Sequence, residues 1–439
     1  MIEWAIYLIR DGAGFIGVTF DFIIASWPSD FVRIFWALVF LEIPRYLFSD
    51  FYVLWLHAKG IFVEPTGVSP LTRRPLISIV LPALNEEEII GNTVASMYEQ
   101  DYDNIEIIIV DDGSTDDTPL ICQKLQAEGK IRYFRFDTRQ GKSAALNFGA
   151  RLSRGEYIIF GDTDSTFDRG SITNIMRYFS DPNIGAVSGN LGVRNMYANL
   201  LTRFQAIEYL VSFTVGRRFK AATGILSIAP GAFGAFRRDV VERVGGHEPG
   251  PGNDSDLTIR IRKIGYQIAF APDATCLTDS PTRFRQWRKQ RLRWDRNIIR
   301  NRVRKHKDVF DWRNMSFSIL NLISFVDVLF FSIFLSIIWL IYVVDMALHY
   351  SEVAGMVFLA NYLLHTLNKF AQVSIAMTIL EPQRRDEYLA LYWVIPLFSF
   401  YRIAIRLVRI TATVQEMLFR MSYRDTFAPM HVQPQMEVY

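Results

Sequence analysis

The chain has 439 residues, 50% hydrophobic and 14% aromatic, with a mean hydropathy of +0.13. At roughly 100–200 residues per domain there is room for two or three domains, and the apolar excess excludes an ordinary soluble enzyme along the whole length. A formal net charge of +3 excludes little, because the basic residues are local: about half of residues 283–307 are Arg or Lys. Two cysteines, Cys122 and Cys276, supply neither a disulfide framework nor a metal spacing, which fits a reducing compartment.

At the amino terminus Glu3 stands where a signal peptide carries positive charge, so no signal peptide is expected. Residues 2–27 are apolar but broken by Arg10, Asp11, Gly12, Gly14 and Asp21, which predicts a poor span or a helix lying in the interface. Residues 31–57 are long enough to cross about 30 Å of hydrocarbon, with aromatic residues near the ends. Glu42, Arg45 and Asp50 inside them must face protein or a water-filled path.

After a polar linker at residues 67–75 the character changes. Residues 76–81 read as a buried strand ended by Pro82, and Asn85 to Glu88 as a helix start with acids in its first turn. Further strands are expected at 105–110, closing on Asp111-Asp112-Gly113-Ser114, at 131–136, and at 157–160, ending on Gly161-Asp162-Thr163-Asp164. A helix follows Gly141-Lys142. Such alternation predicts a mostly parallel sheet with helices on both faces, whose ligands bind beyond the carboxyl ends of the strands. Apolar runs at 317–344, 353–380 and, more weakly, 388–411 predict later spans. The last contains Pro396 and reads as a re-entrant or interfacial pair, because a full span would place Arg420 and Arg424 outside. Arg402, Arg406 and Arg409 share one helical face, which fits the lining of a path for a polymer and, better, a helix leaving the bilayer.

Two carboxylates one residue apart at a strand end, Asp162 and Asp164, can share a hard divalent cation that also takes diphosphate oxygens, although a solvated turn has the same pattern. Gly252-Asn253-Asp254-Ser255-Asp256-Leu257-Thr258 has the composition of a tight exposed loop. Its neighbour Gln290-Arg291-Leu292-Arg293-Trp294 packs two guanidinium groups, which clamp anions, against an indole, a flat apolar platform. The bland alternative for this second stretch is a basic amphipathic helix on anionic lipid. Residues 227–238 are rich in small residues and fit either a sugar-contacting segment or a tightly packed strand.

The spacing Gln-x-x-Arg-Trp after an Asp-bearing Leu-Thr loop resembles the membrane-bound processive family 2 glycosyltransferases, the group of cellulose, chitin, hyaluronan and poly-N-acetylglucosamine synthases. The resemblance covers most of residues 76–310. It implies a cytosolic α/β catalytic domain of the glycosyltransferase A type (Rossmann-like) flanked by transmembrane and interfacial helices. The organisation expected is membrane helices at 1–66, the catalytic domain at 67–310, a transmembrane region at 311–425 and a tail at 426–439. By resemblance Asp111, Asp112, Lys142, Asp162, Asp164 and Arg291 bind the nucleotide sugar, with Asp162 and Asp164 holding Mg²⁺ or Mn²⁺. Asp254 is the general base, and Gln290, Arg293 and Trp294 complete the catalytic set. The family has an acid where Asn253 stands; its loss removes a like charge beside Asp254. Asp256 competes as base or serves as a helix cap.

The activity implied is inverting, processive polymerisation of a β-linked polysaccharide from a UDP-sugar, UDP-N-acetylglucosamine or UDP-glucose, with translocation across the cell (inner or plasma) membrane. Its partners are the donor, the growing polysaccharide and membrane lipids, with no nucleic acid. The alternatives are transfer of one sugar to a lipid and, from another class, a transporter or receptor with a basic cytosolic domain.

Overall fold

The computed structural model describes residues 42–60, 73–314, 316–425 and 428–438. The candidate span at 2–27, the first part of the one at 31–57 and most of the 67–75 linker lie outside the described residues. In chain order the elements are α1 (Ile43–Ala58), β1 (Ile77–Ala83), α2 (Ile90–Tyr98), β2 (Ile105–Asp111), α3 (Thr118–Ala127), β3 (Arg132–Arg135), α4 (Lys142–Leu152), β4 (Tyr157–Gly161), β5 (Thr166–Phe167), α5 (Ser171–Arg177), β6 (Ile184–Val193), α6 (Leu200–Val211) and α7 (Arg217–Ala222). There follow β7 (Phe233–Arg237), α8 (Arg238–Arg243), α9 (Asn253–Lys263), β8 (Gln267–Thr278), α10 (Phe284–Ile299), α11 (Ile319–Leu329), α12 (Leu335–His349), α13 (Ser351–Ile379), α14 (Pro382–Leu389) and α15 (Phe398–Phe419).

Eight strands form one sheet in the order β3-β2-β1-β4-β7-β6-β8-β5. β1 to β4 are parallel neighbours, as the alternation of strands and helices predicts. The other half is mixed, because β7 runs antiparallel to both β4 and β6. β6 and β8 have no counterpart among the predicted strands: Gly185, Gly189 and Gly192 interrupt the hydrophobic run of β6. Pro82 lies inside β1 rather than ending it. Pairing with β4 stops at Val80, so Pro82 sits where only β2 is alongside, and its missing N–H is tolerated there. α2 starts at Ile90, not at Asn85, whose φ of 57° breaks the chain out of helical geometry.

The period of two along β1 and β2 divides the core. Ile77, Ile79, Leu81, Ile107 and Ile109 pack on one face under α2 and α5. Val80, Ile108 and Val110 pack on the other with Leu146 of α4 and Leu257 and Ile261 of α9. Both faces are therefore covered, which is why these strands read as unbroken apolar runs.

A third core joins the sheet domain to the carboxyl-terminal helices. Trp287 of α10 is fully buried, donates from Nε1 to the Tyr401 hydroxyl of α15 at 3.1 Å, and lies 5.4 Å from its ring. Residues 388–411 form no single helix: α14 ends, a 3₁₀ turn at Tyr392–Leu397 holds Pro396, and α15 begins. Among the described residues, one continuous helical stretch, Ile319–His349, is long and apolar enough to cross a membrane. The arginine stripe of α15 is turned inward, contrary to the expectation of a helix leaving the bilayer. Arg402 and Arg406 both bind Glu42, and Arg409 binds Asp295 at 3.1 Å. Asp327 is likewise paired, with Arg45 at 3.2 Å and Lys220 at 2.7 Å.

Replacing Trp287 by Ala empties the largest buried side chain at this junction and is expected to cost about 3–5 kcal/mol. Trp287→Phe, which keeps a ring but loses the hydrogen bond, is expected to cost far less. Denaturation of the purified variants, followed by α-helical signal, measures both.

Candidate active site

Because β1, β2 and β4 are parallel, their carboxyl ends deliver three loops to one edge of the sheet. The first two are fastened to each other. The Asn85 N–H donates to the Ser114 hydroxyl at 3.0 Å, and Asn85 Oδ1 accepts from the Thr115 N–H at 2.9 Å. Asp111 is fully buried and accepts from the Ser114 N–H at 2.7 Å and the Tyr133 hydroxyl at 2.8 Å. Asp112 accepts from the N–H groups of Gln140 and Gly141 at 2.6 and 2.9 Å. Burial pushes the Asp112 carboxyl above its usual range against the pull of those N–H groups. Both acids thus hold loops in place around a site.

Gly141, at φ 92°, turns the chain into α4 and presents Lys142 at the helix start. Lys142 Nζ donates to Asp162. Burial lowers the Lys142 pKa, but the charges of Asp162, Asp254 and Asp164 outweigh it and hold the ammonium charged. Asp164 is pushed the other way, above the usual carboxylate range, by burial and then by the charge of Asp162. Glu86, from the first loop, is raised to about 7 by burial and by Asp164 and Asp162. Negative charge therefore exceeds positive charge at this edge, the condition that attracts a divalent cation. Among the described residues no group of three or more His, Cys, Asp or Glu side chains is placed to hold a metal alone. The pair Asp162 and Asp164 fits an ion that takes its remaining ligands from water and phosphate oxygens.

β7 runs the opposite way to β4, with Phe233 opposite Gly161, so the segment before it arrives at the same edge. The small-residue stretch accordingly serves both readings. Phe233, Ala235 and Phe236 are core, whereas the Gly231 N–H reaches Asp254 Oδ2 at 3.2 Å. A Cβ added to Gly231 would stand 3.7 Å from Lys142 Nζ and 3.9 Å from Asp254. Lys142, Asp162, Gly231 and Asp254 therefore converge.

Residues 253–258 are not an exposed loop. α9 begins at Asn253, after Gly252 in the left-handed conformation, so Asp254 lies in its first turn, where the helix dipole favours a carboxylate. The Ser255 N–H donates to Asp254 Oδ1 at 2.7 Å. Asn253, which stands in place of an acid, donates to the Ser143 hydroxyl at 3.0 Å and so ties α9 to α4.

Asp256 is neither base nor cap. It is buried and bound by Lys305 at 2.5 Å, His306 at 2.8 Å and Arg260 at 2.8 Å. Burial raises its pKa, but the His306 hydrogen bond and the charges of Arg260 and Lys305 overcome that and hold it far below the usual range.

α10 places Gln290, Arg293 and Asn297 at three- and four-residue spacing on one side. Asn297 abuts the Gly252 turn that opens α9, and Asn301 Nδ2 donates to the Gly252 carbonyl at 3.2 Å. Gln290 Oε1 is buried without a hydrogen-bond partner among the described residues, and Trp294 keeps 39% exposure. Arg291 departs from its expected role. Its fork lies bidentate on Glu208 at 2.6 and 2.8 Å, and its guanidinium lies 4.8 Å from the Trp294 ring, so it braces α10 on α6 rather than meeting a phosphate. The basic stretch after it is also largely internal. Arg302 donates to Ser227 at 3.2 Å and Arg304 to Glu416 at 2.5 Å.

Residues 78–245 match the family model Glycosyl transferase family 2. The chain carries a family 2 glycosyltransferase domain. Relatives include the Bacillus subtilis (strain 168) protein named "Probable glycosyltransferase YdaM", 32% identical over 232 residues, 51% of this chain and 55% of the relative. An N-acetylglucosaminyltransferase of Azorhizobium caulinodans is 29% identical over 245 residues, 53% and 61% of the two chains. A poly-beta-1,6-N-acetyl-D-glucosamine synthase of Staphylococcus epidermidis is 26% identical over 306 residues, 69% and 72%. The matched part thus spans little more than half of the first two relatives. Among solved structures, the mannosyltransferase PcManGT of Pyrobaculum calidifontis, in complex with GDP-Man and Mn²⁺, superposes with a TM-score of 0.53 at 22% identity, covering 85% of this chain and 96% of that one. The fold is the glycosyltransferase A type.

Two parts of the candidate site went unread in the sequence. Glu86 follows β1 as Asp111 and Asp162 end or follow β2 and β4, so an acid after a buried strand was its signal. The clamp of Lys305 and His306 on Asp256 had none, being 49 and 50 positions away.

Asp254→Asn is expected to lower sugar transfer by about 10²–10⁴-fold while donor affinity stays within a few-fold. Asp256→Asn is expected instead to lower the melting temperature at pH 7. Because the folded-state pKa of Asp256 is depressed, its contribution is present above about pH 4 and is lost as the pH falls through the folded value, so the variant and the parent should converge in acid. Donor titration, turnover and melting against pH separate the two residues.

Proposed function

We propose that the chain is an inverting, processive glycosyltransferase that extends a β-linked polysaccharide from a UDP-sugar. The observation that carries this reading is the convergence of Lys142, Asp162, Gly231 and Asp254 at the carboxyl edge of the sheet. A base, a cation and a carboxylate able to share a metal stand together there. The names of the Azorhizobium and Staphylococcus relatives favour N-acetylglucosamine over glucose as the sugar.

In this mechanism Asp254 takes the proton of the acceptor hydroxyl as its oxygen attacks the anomeric carbon from the face opposite the departing diphosphate. The Gly231 N–H and the first turn of α9 keep that carboxylate oriented. Lys142 sets a positive charge beside the leaving group, and Arg293 offers its fork to the oxygens of the same departing diphosphate. Trp294 offers the acceptor pyranose a flat face, and Gln290 Oε1 accepts from one of its hydroxyls. Asp162 and Asp164 would hold Mg²⁺ or Mn²⁺, which would supply charge neutralisation of the diphosphate. Asp111 and Asp112 shape the nucleotide pocket through the loops they hold.

The reading extends to a protein of the cell membrane, with the catalytic domain at residues 67–310 facing the cytoplasm and helices on either side. The junction of α10 with α15 supports it by joining the catalytic half directly to the helices. The product would leave across the membrane through that helical region.

Two experiments test this. EDTA is expected to stop transfer and Mg²⁺ or Mn²⁺ to restore it, whereas Asp162→Asn with Asp164→Asn should stay inactive at any metal concentration. Full turnover in a chelated preparation would rule the metal site out. Separately, purified protein in sealed vesicles, offered labelled UDP-sugars on the catalytic side, is expected to build long chains and deliver them to the other side. Products carrying one added sugar would replace this reading with transfer to a lipid, and polymer retained on the donor side would remove translocation from it.

A further inference from the structure

Between α12, α13 and α15 lies a cavity of about 560 Å³, within the range of ~300–1,000 Å³ usual for small-molecule sites. Trp339, Val343, Leu359 and Ile403 are among the side chains that wall it. Phe400 and Ile403, at 61% and 41% exposure, show that the apolar wall continues onto the outer surface. α12 belongs to the one described stretch long and apolar enough to cross a membrane, and on the membrane reading proposed above the cavity opens towards lipid.

Its polar groups are concentrated in one cluster. Arg402 donates to Glu42 at 2.8 Å, and Arg406 donates to the other oxygen of the same carboxylate. Arg402 Nη1 also lies 3.0 Å from His365 Nδ1. A guanidinium only donates, so that nitrogen accepts and the imidazole is neutral. Among the described residues the cluster thus sets two cations against one anion in apolar surroundings. An unmatched charge there is expensive unless an anion meets it. Of the uncharged polar groups in the lining, Asn361 already donates to Tyr342 at 3.1 Å and to the Val357 carbonyl at 2.9 Å, and the Ser399 hydroxyl lies 3.5 Å from that of Thr366. Most of the wall away from this cluster is apolar, from Leu335 and Trp339 to Phe358 and Ile403, and suits an acyl chain.

We propose that this cavity binds an anionic phospholipid, its acyl chain along Trp339 and Phe400 and its phosphate on Arg402 and Arg406. Guanidinium forks match phosphate oxygens in geometry as well as in charge. The site is separate from the transfer chemistry, and its binding assay does not rest on the glycosyltransferase reading.

The test uses the full chain in vesicles of phosphatidylcholine with a minor share of brominated lipid, because bromine on an acyl chain quenches a neighbouring indole. Trp339 emission is isolated by difference from Trp339→Phe. Brominated phosphatidylglycerol is expected to quench it several-fold more than brominated phosphatidylcholine at the same share. Neutralising the cluster as Glu42→Gln, Arg402→Gln and Arg406→Gln together should abolish that preference, and a melting curve establishes that the variant is folded. If the triple variant does not fold, Arg402→Lys with Arg406→Lys, which keeps the charge but loses the forks, should reduce the preference. Equal quenching by both lipids would overturn the proposal and leave a groove that merely faces lipid. No quenching by either would also overturn it, and would assign the cavity to residues of this chain or to the sugar product.

Discussion

The parallel pairing of β1 with β2 and β4 is the constraint on which the site depends. Parallel strands must all end at the same edge, so each short apolar run delivers its following polar loop to one place. The antiparallel β7 adds the opposite advantage, since its amino end meets that edge and brings Gly231 against Asp254. Carboxylates gathered this way would repel one another and disrupt the sheet edge if left alone. The protein handles them differently according to depth. Asp111 and Asp112 are given N–H and hydroxyl donors, Asp162 is given Lys142, and Asp164 remains beside unbalanced negative charge.

The carboxyl-terminal helices are joined to this domain by charge and aromatic contacts as much as by aliphatic packing. Glu208 receives Arg291 from α10 and the Tyr401 hydroxyl from α15, so one carboxylate links three helices. Asp295 and Glu416 repeat the arrangement farther along with Arg409 and Arg304. Breaking one partner of such a pair leaves a charge without compensation, which is far costlier than never having placed the pair there. The basic stretch 283–307 is therefore mostly internal wiring, with its amino-terminal arginines, such as Arg283 and Arg285, left exposed.

Local signals carried the first half of the sheet. Short apolar runs, two of them closed by acids, placed β1, β2 and β4 within one or two residues, because these strands are covered on both faces and show no alternation to misread. The misses share a cause, which is dependence on distant partners. Pro82 looks like a strand end until the short register with β4 is known. Gly252 caps α9 through backbone conformation rather than a side chain, so the helix starts earlier than Asp256 suggested. The arginine stripe of α15 and the fork of Arg291 find their acids more than eighty positions away, at Glu42, Asp295 and Glu208. No reading of adjacent residues shows that these cations face inward.

One consequence follows from how α9 is held. Its first turn carries Asp254, and Asn297 and Asn301 press on the glycine just before it, while Lys305 and His306 grip Asp256 two residues later. All four belong to α10 or its direct continuation, the same unit that bears Gln290, Arg293 and Trp294. The start of α9, with Asp254, is thus held directly by the helical unit that carries Gln290, Arg293 and Trp294. On the function proposed above, an acceptor that grows by one sugar at a time would have to move relative to α9 and α10, because these contacts hold the two helices together.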